Sequence, residues 1–148
     1  MDSLEFSRYA RQLVAAKPEL REELERAKDS GWTREAMQAF LRERRGGDEG
    51  ALHSGLRILR QRVLLRTMAR DLSGTAGLDE VCGTMSALAE VAIESSLEFL
   101  EPRMSGRPHP RLVVVGMGKL GGGELNVSSD VDLVFLYPEE EEGGAREG

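Results

Sequence analysis

The spacing of hydrophobic residues changes near residue 110, and this change constrains the fold of the chain more than any other feature. Apolar residues recur at helical intervals from Ala51 to Arg70 and again from Leu78 to Leu100. After a proline-rich segment at 102–110, two short runs rich in β-branched residues follow, Leu112–Val115 and Ser129–Tyr137. The sequence therefore predicts an α+β fold in which a helical region (1–101) and a linker (102–110) precede a β-hairpin.

Composition restricts the class of protein. The chain has 148 residues, of which 40% are hydrophobic and 31% charged, values typical of a soluble globular domain. Its net charge of −6 argues against a general nucleic-acid-binding protein, which usually carries a basic excess. Cys82 is the only cysteine, so an intramolecular disulfide is excluded. No apolar run reaches membrane-spanning length, and we expect a cytoplasmic protein with neither nucleic acid nor membrane as a partner.

Two aspartates on the second predicted strand are the strongest candidates for catalysis. Side chains alternate along a strand, so Asp130 and Asp132 should point to the same side, about 6.6 Å apart along the chain. Val131, Leu133 and Phe135 should point to the opposite side and can enter a core. Paired carboxylates repel each other unless a cation lies between them, and Mg²⁺ prefers such oxygen ligands. The alternative is a solvated surface pair on an edge strand.

A glycine-rich segment lies between the two predicted strands. Because glycine has no side chain, its backbone N–H can approach phosphate oxygens closely, and Lys119 adds a positive charge. The alternative interpretation is a long hairpin turn without a ligand. The glycines are Gly116, Gly118, Gly121, Gly122 and Gly123.

The order of strand, glycine turn and Asp-x-Asp strand resembles the signature of the DNA polymerase β-like nucleotidyltransferase superfamily. Within it, GMGKLGGGELNVSSDVDLVF resembles the family of glutamine synthetase adenylyltransferase/adenylyl-removing enzymes. Two upstream helical segments, Leu56–Gly74 and Leu78–Leu97, also resemble that family. The similarity covers most of residues 50–137.

The resemblance implies a function and a set of site residues. It implies that residues 111–148 begin a nucleotidyltransferase catalytic domain with a mixed sheet. GMG in place of GYG resembles the amino-terminal domain, which removes AMP from adenylylated glutamine synthetase by phosphorolysis to ADP, in an enzyme that also adenylylates its target from ATP. Glutamine synthetase and a nitrogen-signalling regulatory protein would be the partners. Asp130 and Asp132 would be catalytic ligands of Mg²⁺ or Mn²⁺, and the residues that contact nucleotide or phosphate would be Gly116, Gly118, Lys119, Gly121 and Ser129.

The resemblance also implies a third catalytic carboxylate on a later strand, and no residue of this sequence matches it. We therefore expect the catalytic domain to be incomplete, the 148-residue chain to be a fragment, and the fragment to be inactive alone.

Two other functions are compatible with parts of the sequence. Gly116–Gly121 fits G-x-G-x-x-G after a strand, the fingerprint of a dinucleotide-binding fold, although the three consecutive glycines that follow oppose the helix this fold requires. A non-catalytic docking or regulatory module is the second possibility. Five arginines follow one another without an intervening acid: Arg57, Arg60, Arg62, Arg66 and Arg70. They would suit either a solvated face paired with acids of neighbouring helices or a surface that attracts phosphate, nucleotide or acidic protein.

Overall fold

Helices dominate the amino-terminal two thirds of the molecule. The computed structural model describes residues 3–44, 46–103 and 112–136. The predicted linker therefore lies mostly outside the described residues, as do His109, Tyr137 and the acidic stretch after it. The helices are α1 (Arg8–Ala16), α2 (Glu19–Ala27), α3 (Arg34–Glu43), α4 (Glu49–Leu72), α5 (Leu78–Leu100) and the one-turn α6 (Gly118–Gly121); the strands are β1 (Val113–Gly116) and β2 (Leu133–Leu136); short 3-10 turns span Ser3–Phe6 and Glu101–Arg103.

Side-chain caps set the starts of three helices. Ser7, Thr33 and Asp48 each accept a hydrogen bond from the backbone N–H three residues later, at 3.2, 3.2 and 2.7 Å. These bonds satisfy N–H groups that the first helical turn cannot. The cap at Asp48 explains why α4 begins at Glu49, two residues before the predicted start at Ala51.

The main core lies between α3, α4 and α5. Met37, Leu59, Val63 and Val91 are fully buried there. Leu120 and Leu125, from the glycine-rich segment, belong to the same cluster. A second cluster packs α1 and α2 against the later part of α4; its members are Ala10, Leu13, Leu20, Leu24, Leu65 and Ala69. Within the described ranges, no helix combines the length and the apolar character needed to cross a bilayer.

Three of the five arginines of α4 pair with acids from neighbouring helices. Arg62 Nε lies 2.9 Å from a carboxylate oxygen of Glu23 in α2, and Arg66 lies 3.9 Å from the other oxygen. The Arg62 contact is an ion pair without hydrogen-bond geometry at Nε. Arg70 binds Glu80 in α5 at 2.7 Å. The interpretation as a face paired with neighbouring acids is confirmed for these three residues.

The two strands form an antiparallel pair in which Val113 faces Leu136 and Gly116 faces Leu133. This arrangement confirms an α+β fold and contradicts the dinucleotide-binding alternative, since that fold requires parallel strands joined by a full helix. The second strand is also shorter than predicted. It begins at Leu133 rather than Ser129, because residues 126–129 form a turn that cannot join the ladder.

The apolar residues beside the aspartates do not all enter a core. Leu133 packs against the main core. Val131 is 42% exposed and Phe135 52% exposed, so the prediction of burial was wrong for both. A two-stranded sheet has too few neighbours to cover both of its faces.

Candidate nucleotide and metal site

A tight glycine turn follows β1. Gly118 has φ +53 and Gly123 has φ +69, a left-handed conformation that side chains rarely adopt. Between them α6 makes a single turn, closed by bonds from Gly121 N to Met117 O (3.3 Å) and from Gly122 N to Gly118 O (3.0 Å). Because a helix cannot satisfy its own first N–H groups, those of the opening turn are available to an outside acceptor.

Close packing explains two further glycines. A Cβ atom at Gly121 would lie 2.6 Å from the carbonyl oxygen of Gly116, and one at Gly116 would lie 2.8 Å from Leu120 Cγ. The one-turn helix therefore packs directly against the end of β1. Leu120 holds it there, since its side chain is buried in the main core.

A second turn leads from the glycines to the aspartates. Asn126 N donates to Ser129 Oγ at 3.2 Å, and Ser129 N donates to the Asn126 carbonyl oxygen at 3.2 Å. Ser128 N donates to Asn126 Oδ1 at 3.0 Å. The Ser129 hydroxyl oxygen thus shapes the turn, and its proton remains able to donate to a ligand.

The antiparallel register brings the glycine turn to Asp132. Met117 N donates to the carbonyl oxygen of Asp132 at 2.9 Å, which extends the pairing one step past the strands. As a result, a Cβ atom at Gly118 would lie only 3.9 Å from Asp132 Oδ2. Asp130, Asp132 and Lys119 are all exposed. The two aspartates precede β2, so the prediction that they lie on this strand was wrong.

This donor set fits a magnesium ion that is shared with a substrate. Two carboxylates are hard oxygen donors, and Mg²⁺ is commonly bound by one or two carboxylates together with substrate phosphates and water. Within the described residues no group of three or more potential metal ligands occurs. In the described part of the chain, Asp130 and Asp132 are therefore the carboxylates that could hold such an ion, together with oxygens from outside this part.

A groove that the sequence did not reveal lies beside this segment. It has a volume of about 380 Å³ and is bounded by α4, α5 and residues 125–131. Ser129 and Val131 line it, whereas Asp130 and Asp132 do not. Arg57 and Arg60 line its α4 side. The sequence had identified them only as two of the five arginines without an intervening acid.

Comparison with known proteins places the chain among the nucleotidyltransferases. A family model described as glutamate-ammonia ligase adenylyltransferase matches residues 1–148. The chain belongs to this family, as its motifs had suggested.

The relatives share one name, bifunctional glutamine synthetase adenylyltransferase/adenylyl-removing enzyme. The protein of Nitrosomonas eutropha is 49% identical over 94% of this chain, and that of Chromobacterium violaceum is 46% identical over 99%. The Thioalkalivibrio sulfidiphilus protein is 54% identical over 61% of the chain. The chain spans 16% and 17% of the length of the first two relatives.

Proposed function

We propose that this chain contributes the glycine turn and two catalytic carboxylates to a site that removes AMP from adenylylated glutamine synthetase. Phosphate would be the second substrate and ADP the product, in an enzyme that also adenylylates its target from ATP. The names of the relatives, which include both activities, support the proposal. The structural observation that carries it is the position of Gly118 beside Asp132, joined by the Met117–Asp132 hydrogen bond.

Each part of the site has a role in this proposal. Asp130 and Asp132 hold Mg²⁺ or Mn²⁺, which neutralises charge on the reacting phosphates when it is bound. The N–H groups at the start of α6 bind and orient phosphate oxygens, and Lys119 adds a positive charge. Ser129 can donate its hydroxyl proton. In phosphorolysis a phosphate oxygen bonds to the phosphorus of the AMP group, and the bond joining that group to the protein breaks.

Both aspartates are exposed in the described part of the chain. The choice of AMP removal over AMP addition rests on the resemblance of the GMG motif to the amino-terminal domain of the family.

The test uses the product of the complete reading frame that encodes this chain. We expect Asp130→Asn or Asp132→Asn to abolish ADP release from adenylylated glutamine synthetase in the presence of phosphate and Mg²⁺, with little change in stability. The matched control is Asp79→Asn, which alters an exposed aspartate in the first turn of α5. Near-normal ADP release by Asp130→Asn would contradict the assignment of the carboxylates.

The same variants test the direction of the reaction. We assign adenylylation to a second nucleotidyltransferase domain of the enzyme, so adenylylation of unmodified glutamine synthetase from ATP should persist in Asp130→Asn. Loss of adenylylation with intact ADP release would show that the direction is reversed. A pure docking module would have no reason to bind nucleotide and Mg²⁺ through Asp130, so calorimetry on the same variant separates that alternative.

A further inference from the structure

The groove between α4, α5 and residues 125–131 is a second candidate binding site. Its floor is apolar, formed on the α5 side by Met85, Ala89 and Ala92. Its volume, about 380 Å³, lies within the range of ordinary ligand sites. Mostly apolar walls with a few polar groups are the usual composition of such sites.

The charge of the groove is positive. Arg57 and Arg60 are the only charged side chains among the described residues that line it. Both are exposed, and neither has an ion-pair partner in the described part of the chain. In this respect they differ from Arg62, Arg66 and Arg70 of the same helix, which are paired with glutamates. Two unpaired guanidinium groups on a protein with a net charge of −6 form a distinct anion-attracting surface.

The groove borders the aspartate segment, but neither carboxylate lines it. Ser129 and Val131 line it, while Asp132 approaches the glycine turn instead. The groove is therefore suited to a part of the substrate that docks and does not react.

We propose that this groove, with Arg57 and Arg60 at its edge, binds an acidic surface segment of the protein substrate. The carboxylates of that segment would pair with the guanidinium groups, and an apolar side chain would lie on the α5 floor. Charge complementarity of this kind raises the association rate and fixes the orientation of a partner. The inference rests on the proposed function, since it takes the protein substrate to be glutamine synthetase.

The experiment measures binding of purified glutamine synthetase, adenylylated and unmodified, to the product of the complete reading frame. Arg57→Glu/Arg60→Glu should raise the Kd at least about tenfold at about 0.1 M salt, because it places two like charges against the acidic segment. It should raise KM for adenylylated glutamine synthetase and leave kcat unchanged. Arg57→Lys/Arg60→Lys keeps both charges and should stay within about threefold of the wild type.

The matched control is Arg8→Glu/Arg11→Glu, an exposed pair with the same spacing on α1. It should leave Kd within about twofold. An equal loss in both double variants would show a general effect of net charge and overturn the inference. Unchanged binding of glutamine synthetase by Arg57→Glu/Arg60→Glu would also overturn the inference, even if the same variant had a higher Kd for ATP.

Failure of this inference can be distinguished from failure of the proposed function. Asp130→Asn should abolish ADP release and still bind glutamine synthetase with the wild-type Kd. If Asp130→Asn behaves in this way and Arg57→Glu/Arg60→Glu binds normally, only the docking inference fails. A wild-type protein that binds no glutamine synthetase in either form would overturn both.

Discussion

Alanine substitutions at four glycines can separate the stability of the glycine turn from its role in binding phosphate. Gly118 and Gly123 both have positive φ, whereas Gly47 does not, and nothing lies within 4 Å of a Cβ atom added at Gly123 or Gly47. At Gly118 the added Cβ would stand 3.9 Å from Asp132 Oδ2. Gly118→Ala and Gly123→Ala thus impose the same backbone strain on the folded protein. Only Gly118→Ala adds an atom beside Asp132, a proposed metal ligand.

The structure gives the expected magnitudes. A side chain in the left-handed region costs about 1–2 kcal/mol, so both substitutions should lower the free energy of unfolding by that amount. Gly47→Ala should change it by less than about 0.5 kcal/mol. Gly121→Ala has no φ cost but brings its methyl group to 2.6 Å from a backbone oxygen, and a loss of about 1–3 kcal/mol is expected from the overlap.

Two assays check this prediction. Urea unfolding followed by circular dichroism measures stability, which the turn affects globally because Leu120 and Leu125 lie in the main core. Calorimetry with ADP, the proposed product of this site, and Mg²⁺ measures binding, and Gly118→Ala should weaken it about tenfold, or about 1.4 kcal/mol. Gly123→Ala should remain within about twofold. Equal weakening by both variants would refute the phosphate site, and an unfolding free energy equal to that of Gly47→Ala would refute the described turn.

Three further predictions concern the core, the α4–α5 connection and turnover. Leu59→Ala should lower the free energy of unfolding by about 2–5 kcal/mol in urea titrations, because Leu59 is fully buried. Hydrogen bonds from Arg70 lower the pKa of Glu80 below its ordinary value of 4.5. The pair therefore stabilises the fold at pH values above 4.5, and this stabilisation is lost as the pH falls through the lower pKa of Glu80 in the folded protein. The difference in unfolding free energy between wild type and Glu80→Gln should therefore shrink in acid, and a difference that is constant from pH 7 to pH 3 would contradict the pairing. The 148-residue chain alone should release no ADP from adenylylated glutamine synthetase above background, because the family resemblance implies a third carboxylate that this sequence does not match.

The helices could be predicted well because their signals are local. The observed α5 has the predicted bounds, and α4 extends the prediction by two residues at each end. A long apolar stripe with helical period specifies such an element without reference to the rest of the fold. The predicted start of α4 was two residues late because the apolar spacing begins at Ala51, whereas the Asp48 side chain caps the helix and starts it at Glu49.

The candidate site could be predicted only in part. The sequence indicated the glycine turn and the aspartates, but their proximity depends on which residues of β1 and β2 face each other. Strand register follows from pairing across the sheet, which no single segment specifies. For the same reason the strand was predicted too long, and Val131 was expected in a core although it lines a groove. Which arginines of α4 are paired could not be predicted from the sequence either, because their pairing depends on how α2, α5 and the glycine segment pack around α4.

The burial of Leu120 and Leu125 in the main core has a consequence for how this family can be recombined. These two residues come from the glycine-rich segment, yet they pack with residues of α3, α4 and α5. A chimera that joins the helices of one relative to the glycine segment of another would have to match side-chain volumes across this shared interior. The helices and the glycine segment should therefore be exchanged together. A crossover between them should be tolerated only where both parents carry compatible residues at these contacts.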